Sequence, residues 1–180
     1  MSFAKLDQDG IVEEAIALLK EEGLGAVSLR KIATRLSVSV SSLYWHVEDK
    51  QALHALMSIS IFKACLDSVP PAESWWAWLH DFGIALWDAQ TSIRDARQLI
   101  AVTRAQRGAG NHLIGQIVKE LTALGLSAEM AAVAQRSVQA LVTGWTTLRA
   151  VQVEADRDSF ILALDVLIDG WRTRAAADQP

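Results

Sequence analysis

The sequence predicts an all-α protein with an N-terminal three-helix domain followed by a larger helical bundle. Apolar residues recur at helical spacing through most of the chain, and no stretch alternates as a half-buried strand does. Serine and aspartate residues precede most of these periodic stretches, where their side chains can cap helix N-termini. Two adjacent prolines, Pro70 and Pro71, cannot continue a helix and predict the boundary between the two parts.

The first predicted helix covers residues 7–22. Asp7 is its predicted N-cap, and Gly23 follows it directly, which suits a C-terminal residue in the left-handed αL region. Its apolar face consists of Ile11, Ala15, Leu18 and Leu19. The stretch therefore predicts one amphipathic helix that packs on the elements after it.

Two short helices follow, separated by a three-residue break at 37–39. Ser28 can cap the first, and Ser39 can cap the second, which runs from Val40 to about Val47. Two short helices joined by a tight turn form a helix-turn-helix, whose second helix can enter a DNA major groove. Asp49 then caps a longer helix. Its predicted core-facing residues are Leu53, Leu56 and either Ile59 or Ser60.

The sequence SLRKIATRLSVSVSSLYWHVEDKQAL, residues 28–53, resembles the DNA-binding domain of TetR-family transcriptional regulators, particularly the tetracycline-repressor branch. The family pattern has glycine where this chain has Ser37, so the serine must adopt a left-handed backbone at some cost or form another turn. The resemblance implies a DNA-binding domain at 1–50 and a connecting helix at 51–68. It also implies a helical ligand-binding and dimerisation domain at 69–180.

The resemblance also implies which residues face DNA. An arginine can reach a guanine edge, serine hydroxyls can meet bases or phosphates, and a lysine in the first turn of a helix can hold a phosphate. The net charge is −4, but basic residues bracket the second short helix and could steer it onto phosphates. The predicted DNA-facing residues are Arg30, Lys31, Ser41, Ser42, Tyr44, Trp45, His46 and Lys50.

The rest of the chain is helical in pattern. A helix that is apolar nearly all round, from Trp75 to Gln90, is predicted to lie at the centre of the bundle. Leu124-Gly125-Leu126 is typical of a Schellman ending, and the last helix is capped by Asp156 or Asp158. The other predicted helices cover residues 93–107, 111–123 and 127–154.

Six of the seven tryptophans lie in this second part. Most such rings fill a core, but bulky rings are hard to pack without gaps, and gaps between helices can bind ligands. The resemblance implies an inducer pocket here. Its candidate lining residues are Phe62, Trp78, Phe82, Leu86, Thr103, Arg104, His112, Gln116 and Trp145. Ile100 and Phe82 stand where the tetracycline branch has polar drug-binding residues, so we expect no metal and a flat apolar or aromatic effector.

The last two helices carry more apolar surface than one thin domain can cover, which suits dimerisation. The resemblance implies that two such helix pairs form an intersubunit four-helix bundle in a homodimer. One stripe consists of Val138, Leu141, Val142, Trp145 and Leu148. The other consists of Phe160, Ile161, Leu164, Leu167, Ile168 and Trp171.

Motifs for catalysis or cofactor binding are absent from the sequence. The four histidines lack metal-binding spacing, and no nucleophile or phosphate-loop pattern occurs. No apolar run is long enough for a membrane span, and no secretory signal precedes the first helix, so we expect a cytoplasmic location. The sequence thus predicts a ligand-responsive repressor of a palindromic DNA operator. The alternative is a helical small-molecule-binding protein that no longer binds DNA.

Overall fold

A computed structural model describes residues 7–103, 111–151 and 155–178, with the side chains of residues 101–103 excepted. Within these ranges the chain forms nine α-helices and one 3₁₀ turn, and no strand. The predicted all-α class is confirmed, and so is the N-terminal helix-turn-helix followed by a helical domain. Contacts group the residues into two compact units, 1–61 with 92–109 and 62–91 with 110–180.

This grouping bears on the predicted segments 1–50, 51–68 and 69–180. The long fourth helix belongs partly to each unit, because the division falls between Ile61 and Phe62. The segment 92–109 groups with the first unit although it follows the central helix in sequence. Leu99 explains this placement, because its side chain is fully buried in the first unit's apolar core.

Helix α1 spans Gln8–Glu22, and its predicted cap is confirmed because Asp7 Oδ1 accepts a hydrogen bond of 2.9 Å from Gly10 N. Gly23 ends the helix with φ 88° and ψ 171°. This is not the αL conformation expected from the sequence, but it is equally a region that favours glycine. A Cβ atom at Gly23 would also lie 2.6 Å from Asp95 Oδ2. After a 3₁₀ turn at Leu24–Ala26 the chain enters the helix-turn-helix.

Helix α2 spans Leu29–Arg35 and helix α3 spans Val40–Tyr44. Their predicted caps are confirmed, since Ser28 Oγ accepts from Lys31 N and Ser39 Oγ accepts from Ser42 N. Ser37 adopts the left-handed conformation, with φ 54°. Helix α3 ends earlier than the predicted Val47. The backbone there tightens into a turn in which His46 N and Val47 N both donate to Leu43 O.

Helix α4 spans Lys50–Asp67 and begins at the predicted cap, where Ala52 N donates to Asp49 Oδ1 at 2.7 Å. Of its predicted core-facing residues, Leu53 is fully buried and Leu56 packs, partly buried, against the same core, whereas the prediction of Ile59 or Ser60 is wrong. The buried row runs through Leu53, Met57, Ile61 and Cys65, at a spacing of four residues. Leu56, Ile59 and Ser60 are only partly buried. Helices pack along ridges of residues spaced by four or by three. The apolar periodicity of the sequence did not show which of these two rows faces the core.

Helix α5 spans Trp75–Ser92 and helix α6 spans Ala96–Thr103. Helix α6 begins later than the predicted residue 93, because Asp95 has φ 55° and interrupts the helical backbone. The Asp95 carboxylate then accepts a hydrogen bond of 2.8 Å from Leu24 N, and Arg94 Nη1 donates to Glu21 O at 3.3 Å. These two bonds hold the start of α6 against the turn after α1.

The second unit also contains α7 (Asn111–Ala123), α8 (Ala128–Ala150) and α9 (Arg157–Ala177). The predicted Schellman ending is confirmed by Gly125 at φ 98° and by the hydrogen bond from Leu126 N to Leu121 O. Ser127 caps α8, and Asp156 rather than Asp158 caps α9 by accepting from Ser159 N at 2.7 Å.

The core of the second unit is built from aromatic rings. Trp78 stacks on Phe82 with centroids 5.4 Å apart, and Trp87 stacks on Phe160 at 4.3 Å. Gly83 lets α5 approach its neighbours closely, since a Cβ atom there would lie 2.7 Å from Leu164 Cδ2. The predicted central role of α5 is thus confirmed, although Trp76 is 40% exposed.

The stripes predicted to form a dimer interface lie largely inside the protomer. Val138, Val142, Phe160, Leu164 and Ile168 are all buried in the second unit's own core. That part of the prediction is wrong because a helix with apolar residues on several sides does not reveal which side meets its own chain. Large apolar side chains left exposed on these helices, or directly after α8, are Val133, Leu148, Val151, Leu162 and Val166.

None of the helices in the described ranges is long and apolar enough to cross a membrane.

Candidate nucleic-acid interface

Helix α3 divides its side chains between a core and an open surface. Leu43 is fully buried and Val47 is 2% exposed, and these two residues anchor the helix and its following turn to α1, α2 and α4. Tyr44 is 55% exposed and Trp45 is 88% exposed. Burial of two large rings would stabilise the domain, so their exposure indicates a surface that another molecule covers.

The polar residues of α3 form an ordered group at its N-terminal end. Ser39 Oγ lies 2.9 Å from Ser41 Oγ and 2.7 Å from Ser42 Oγ, and it also accepts from Ser42 N. The sequence predicted Ser39 only as a cap. Its contacts to both predicted DNA-facing serines make it the residue that positions their hydroxyl groups, and the S-x-S-S spacing was the available signal.

The turn that follows α3 is held by a hydrogen bond from α1. Gln8 Nε2 donates a hydrogen bond of 2.9 Å to the carbonyl oxygen of His46, across 38 residues of sequence. His46 itself is partly buried, whereas its neighbour Trp45 extends away from the domain. This bond holds the turn that presents Trp45.

The basic residues near α3 fall into two classes. Lys31 forms an ion pair with Glu22, and Arg35 pairs with both Glu14 and Glu21. The hydrogen bond from Arg35 lowers the pKa of Glu21, and the same contact raises the pKa of Arg35. Lys31 and Arg35 therefore neutralise the acids of α1, which the sequence did not reveal because the partners are separated by 9 to 21 residues.

Arg30 and Lys50 differ from those two residues. Both are exposed, and the described part of the chain gives neither an ion pair. Arg30 lies in the first turn of α2 and Lys50 in the first turn of α4, on either side of α3 in sequence. The helices before and after α3 thus each keep one unneutralised cation in their first turn.

The predicted effector-binding residues lie in several places. Phe62 packs edge-on against Phe82 at 6.3 Å, Phe82 stacks on Trp78, and Leu86 is also buried. Trp145 lies edge-on to Phe160 at 6.5 Å. His112 and Gln116 are exposed on α7, on the side away from its buried residues Leu113, Ile117 and Leu121. The side chain of Thr103 and all of Arg104 lie outside the described residues.

Three buried polar side chains of the second unit were not predicted from the sequence. They are Gln90, Gln135 and Thr146. Thr146 Oγ1 donates to Gln90 Oε1 at 2.8 Å, which links α5 to α8. Gln135 and Thr146 are eleven residues apart on α8, close to three turns, so their shared position on the buried stripe was the available signal. The described residues contain no group of three or more His, Cys, Asp or Glu side chains that could hold a metal ion.

Comparison with known proteins places the helix-turn-helix in a family. Residues 11–56, which run from α1 into α4, match the profile described as "Bacterial regulatory proteins, tetR family". The match includes the capped helix α3 and both cations beside it. A solved structure, the Q116A variant of TetR from Acinetobacter baumannii AYE in complex with minocycline, superposes with a TM-score of 0.74 at 27% identity. The superposition covers 95% of this chain and 99% of the Acinetobacter baumannii chain. Residues 11–56 thus form a DNA-binding domain of the TetR family.

Two further comparisons show how much of the chain the similarity covers. The class D tetracycline repressor protein of Escherichia coli is 32% identical over 104 residues, which are 57% of this chain and 48% of that protein. The chain thus spans about half the length of the curated relatives it matches. The structure of BioQ with its double-stranded DNA operator superposes with a TM-score of 0.69 at 26% identity, over 94% of this chain and 99% of that one.

Proposed function

We propose that this TetR-family chain is a ligand-responsive transcriptional regulator, most simply a repressor, which binds double-stranded DNA through α3 as a homodimer. A small effector bound in the second unit would release the DNA, and no catalytic step is involved. The observation that carries the proposal is the exposed pair Tyr44 and Trp45 on a helix flanked by two unpaired cations. A DNA partner also implies a cytoplasmic location.

The proposed DNA contacts follow from the chemistry of the exposed groups. Arg30 and the serines of the first turn of α3 would read base edges, since arginine fits the O6 and N7 atoms of guanine. Tyr44, Trp45, His46 and Lys50 would contact the sugar-phosphate backbone and set the position of the helix. Lys31 keeps a lesser role in this proposal, because Glu22 already neutralises its ammonium group.

The proposed dimer uses the apolar residues that the protomer leaves exposed. Gly144 and Leu148 lie four residues apart on one face of α8, and the exposed Val151 follows as the residue that caps the end of this helix. On α9, Leu162, Val166 and Gly170 recur every four residues and share one face. A Cβ atom at either glycine would meet nothing within 4 Å. Glycine within a helix costs about 1 kcal/mol relative to alanine. A close approach by a second copy would explain why glycine nevertheless occurs at both positions.

The proposed effector is a flat and largely apolar molecule. One relative is a tetracycline repressor and a neighbouring structure contains minocycline, but here Phe82 is fully buried among aromatic rings. An apolar ring offers no oxygen ligand for a hard cation such as magnesium, and it favours stacking instead. We therefore expect effector binding without magnesium.

Footprinting on the DNA upstream of the chain's own gene tests the DNA-binding part. We expect a protected palindrome that is lost when a suitable effector is added. Lys50→Ala should weaken binding to all sequences and lower the salt slope by about one unit, whereas Arg30→Ala should cost about 1–3 kcal/mol and relax one base position. Lys31→Ala is the matched control with a smaller expected effect, since this lysine is already paired. Equal and negligible effects of Lys50→Ala and Arg30→Ala would contradict the assignment.

A further inference from the structure

Gln135 is a buried carboxamide with an unused acceptor. Its side chain is 2% exposed, and its Oε1 atom has no hydrogen-bond partner within the described chain. Its Nε2 atom donates to the carbonyl oxygen of Ala132 at 3.2 Å. A buried polar atom without a partner is unfavourable, and such atoms in folded proteins call for a specific explanation.

The orientation of this carboxamide is set by its neighbour. Exchanging the nitrogen and oxygen atoms would place Gln135 Oε1 against the Ala132 carbonyl oxygen, and two acceptors would then face each other. The nitrogen must therefore point to Ala132, and the oxygen must point away from that carbonyl. The unused group is an acceptor, so it requires a donor from elsewhere.

The other buried carboxamide of this unit, Gln90, has a donor for its oxygen atom. Gln90 is 8% exposed, and its Oε1 atom accepts a hydrogen bond of 2.8 Å from Thr146 Oγ1. The same core can thus supply a donor to a buried carboxamide oxygen. The absence of one at Gln135 is a property of that position and not of the core as a whole.

The surroundings of Gln135 join it to the aromatic part of the core. Ala131 and Ala134 are small, fully buried neighbours on α8. Val138, about one turn further along, reaches α5, because its Cγ1 atom lies 3.3 Å from where a Cβ atom of Gly83 would stand. Gly83 directly follows Phe82, the ring that packs against both Phe62 and Trp78. Gln135 therefore shares the buried stripe of α8 with Val138, the residue that contacts α5 next to Phe82.

We propose that Gln135 Oε1 accepts a hydrogen bond from the effector, which then carries a hydroxyl or N–H donor on an otherwise apolar, aromatic body. This inference rests on the proposed function, and it sharpens the chemical class of the ligand. An apolar molecule without a donor would leave the acceptor unsatisfied. The site thus discriminates through a polar group that only the correct ligand satisfies.

A paired ligand library tests the inference directly. The probes are small aromatic compounds with a hydroxyl or N–H group, each matched to its O-methyl or N-methyl analogue, and their affinities are measured by calorimetry. For wild-type protein we expect the donor members to bind about tenfold more tightly than their partners. Gln135→Met should abolish this preference, whereas the control variant Gln90→Met should retain it. Gln135→Met should also fold, because it removes an unpaired acceptor and approximately keeps the volume.

Several results would overturn the inference. They are the absence of a donor preference in the wild-type protein, an unchanged preference in Gln135→Met, and no binding of any pair. An unchanged preference in Gln135→Met is the result expected if a water molecule, and not the effector, donates to Gln135 Oε1. Binding of a DNA operator, measured on the same samples, separates the two proposals. Operator release without donor preference removes only the role of Gln135, whereas ligand binding that leaves the operator bound removes the proposed function itself.

Discussion

The two units of this protein expose large apolar side chains in different places. In the described part of the first unit they are confined to Tyr44 and Trp45, at the end of α3. The second unit buries most of its rings but exposes aliphatic residues of α8 and α9, including Leu148, Leu162 and Val166. Exposed rings beside cations suit a polyanionic partner, whereas exposed aliphatic residues suit a second protein surface. The difference fits the two partners that we propose, DNA for the first unit and another copy for the second.

The largest effects are expected from placing a negative charge on the buried face of α9 or on its exposed face. Leu164 is fully buried, so Leu164→Glu should destabilise the protomer by more than about 4 kcal/mol and prevent folding. Leu162 is 66% exposed, so Leu162→Glu should leave the protomer folded but convert the dimer to a monomer. Circular dichroism and sedimentation velocity measure these two outcomes. A dimeric Leu162→Glu variant would contradict the role given to this face.

The next largest effect is expected from replacing tryptophan by alanine, which should lower stability in the second unit but not in the first. Trp87 is 1% exposed and stacks on Phe160, so Trp87→Ala should cost about 3–5 kcal/mol in urea unfolding. Trp45 is 88% exposed, so Trp45→Ala should change stability by no more than about 0.5 kcal/mol. Trp45→Ala should instead weaken DNA binding. A large loss of stability in Trp45→Ala would show that this ring belongs to the fold.

Glycine substitution provides a smaller contrast within the second unit. Gly83→Ala would place a Cβ atom 2.7 Å from Leu164 Cδ2, and the crowding should cost about 1–3 kcal/mol. Gly115 lies in α7, and a Cβ atom there would meet nothing within 4 Å, so Gly115→Ala should stabilise the helix by about 0.5–1 kcal/mol. Thermal unfolding of both variants compares the two sites. Stabilisation by both changes would mean that α5 is not closely packed.

The smallest effect concerns acid stability. Burial, and then the ammonium group of Lys50, lower the pKa of His54 below its ordinary value of 6.5. As pH falls below this value the unfolded chain takes up the proton first, so the folded state loses stability until pH reaches the lowered pKa. Asp156 in the second unit has a pKa lowered from 3.8, mainly by a hydrogen bond from Ser159. Its contribution is present above pH 3.8 and is lost only as pH falls further, through the lowered pKa.

The first unit should therefore lose stability in milder acid than the α9 cap does. His54→Gln should flatten the stability profile as pH falls below 6.5, as measured by urea unfolding at a series of pH values. An unchanged profile would mean that His54 is not the group responsible.

The elements predicted best from sequence are those fixed by local chemistry. The caps at Asp7, Ser28, Ser39 and Ser127 lie where predicted, because a cap and the amides it bonds are only a few residues apart. The left-handed conformation of Ser37 was also expected, as one of two possibilities.

What the sequence did not predict depends on distant partners. Periodicity could not tell that Leu164 faces the protomer core while Leu162 does not, because both belong to an apolar helix. Residue type could not tell that Lys31 is paired and Lys50 is not. The isolated acceptor of Gln135 is defined by the absence of a donor in three dimensions, which no local pattern encodes.

In vitro selection from randomised duplex DNA tests the central claim most directly. Wild-type protein should enrich a two-fold symmetric site whose half-site centres lie about 34–36 Å apart, or a little more. Trp45→Ala, which should remain folded, should enrich it much less. Enrichment of an asymmetric sequence, or no enrichment by the folded wild-type dimer, would contradict the assignment of α3 as a DNA-reading helix.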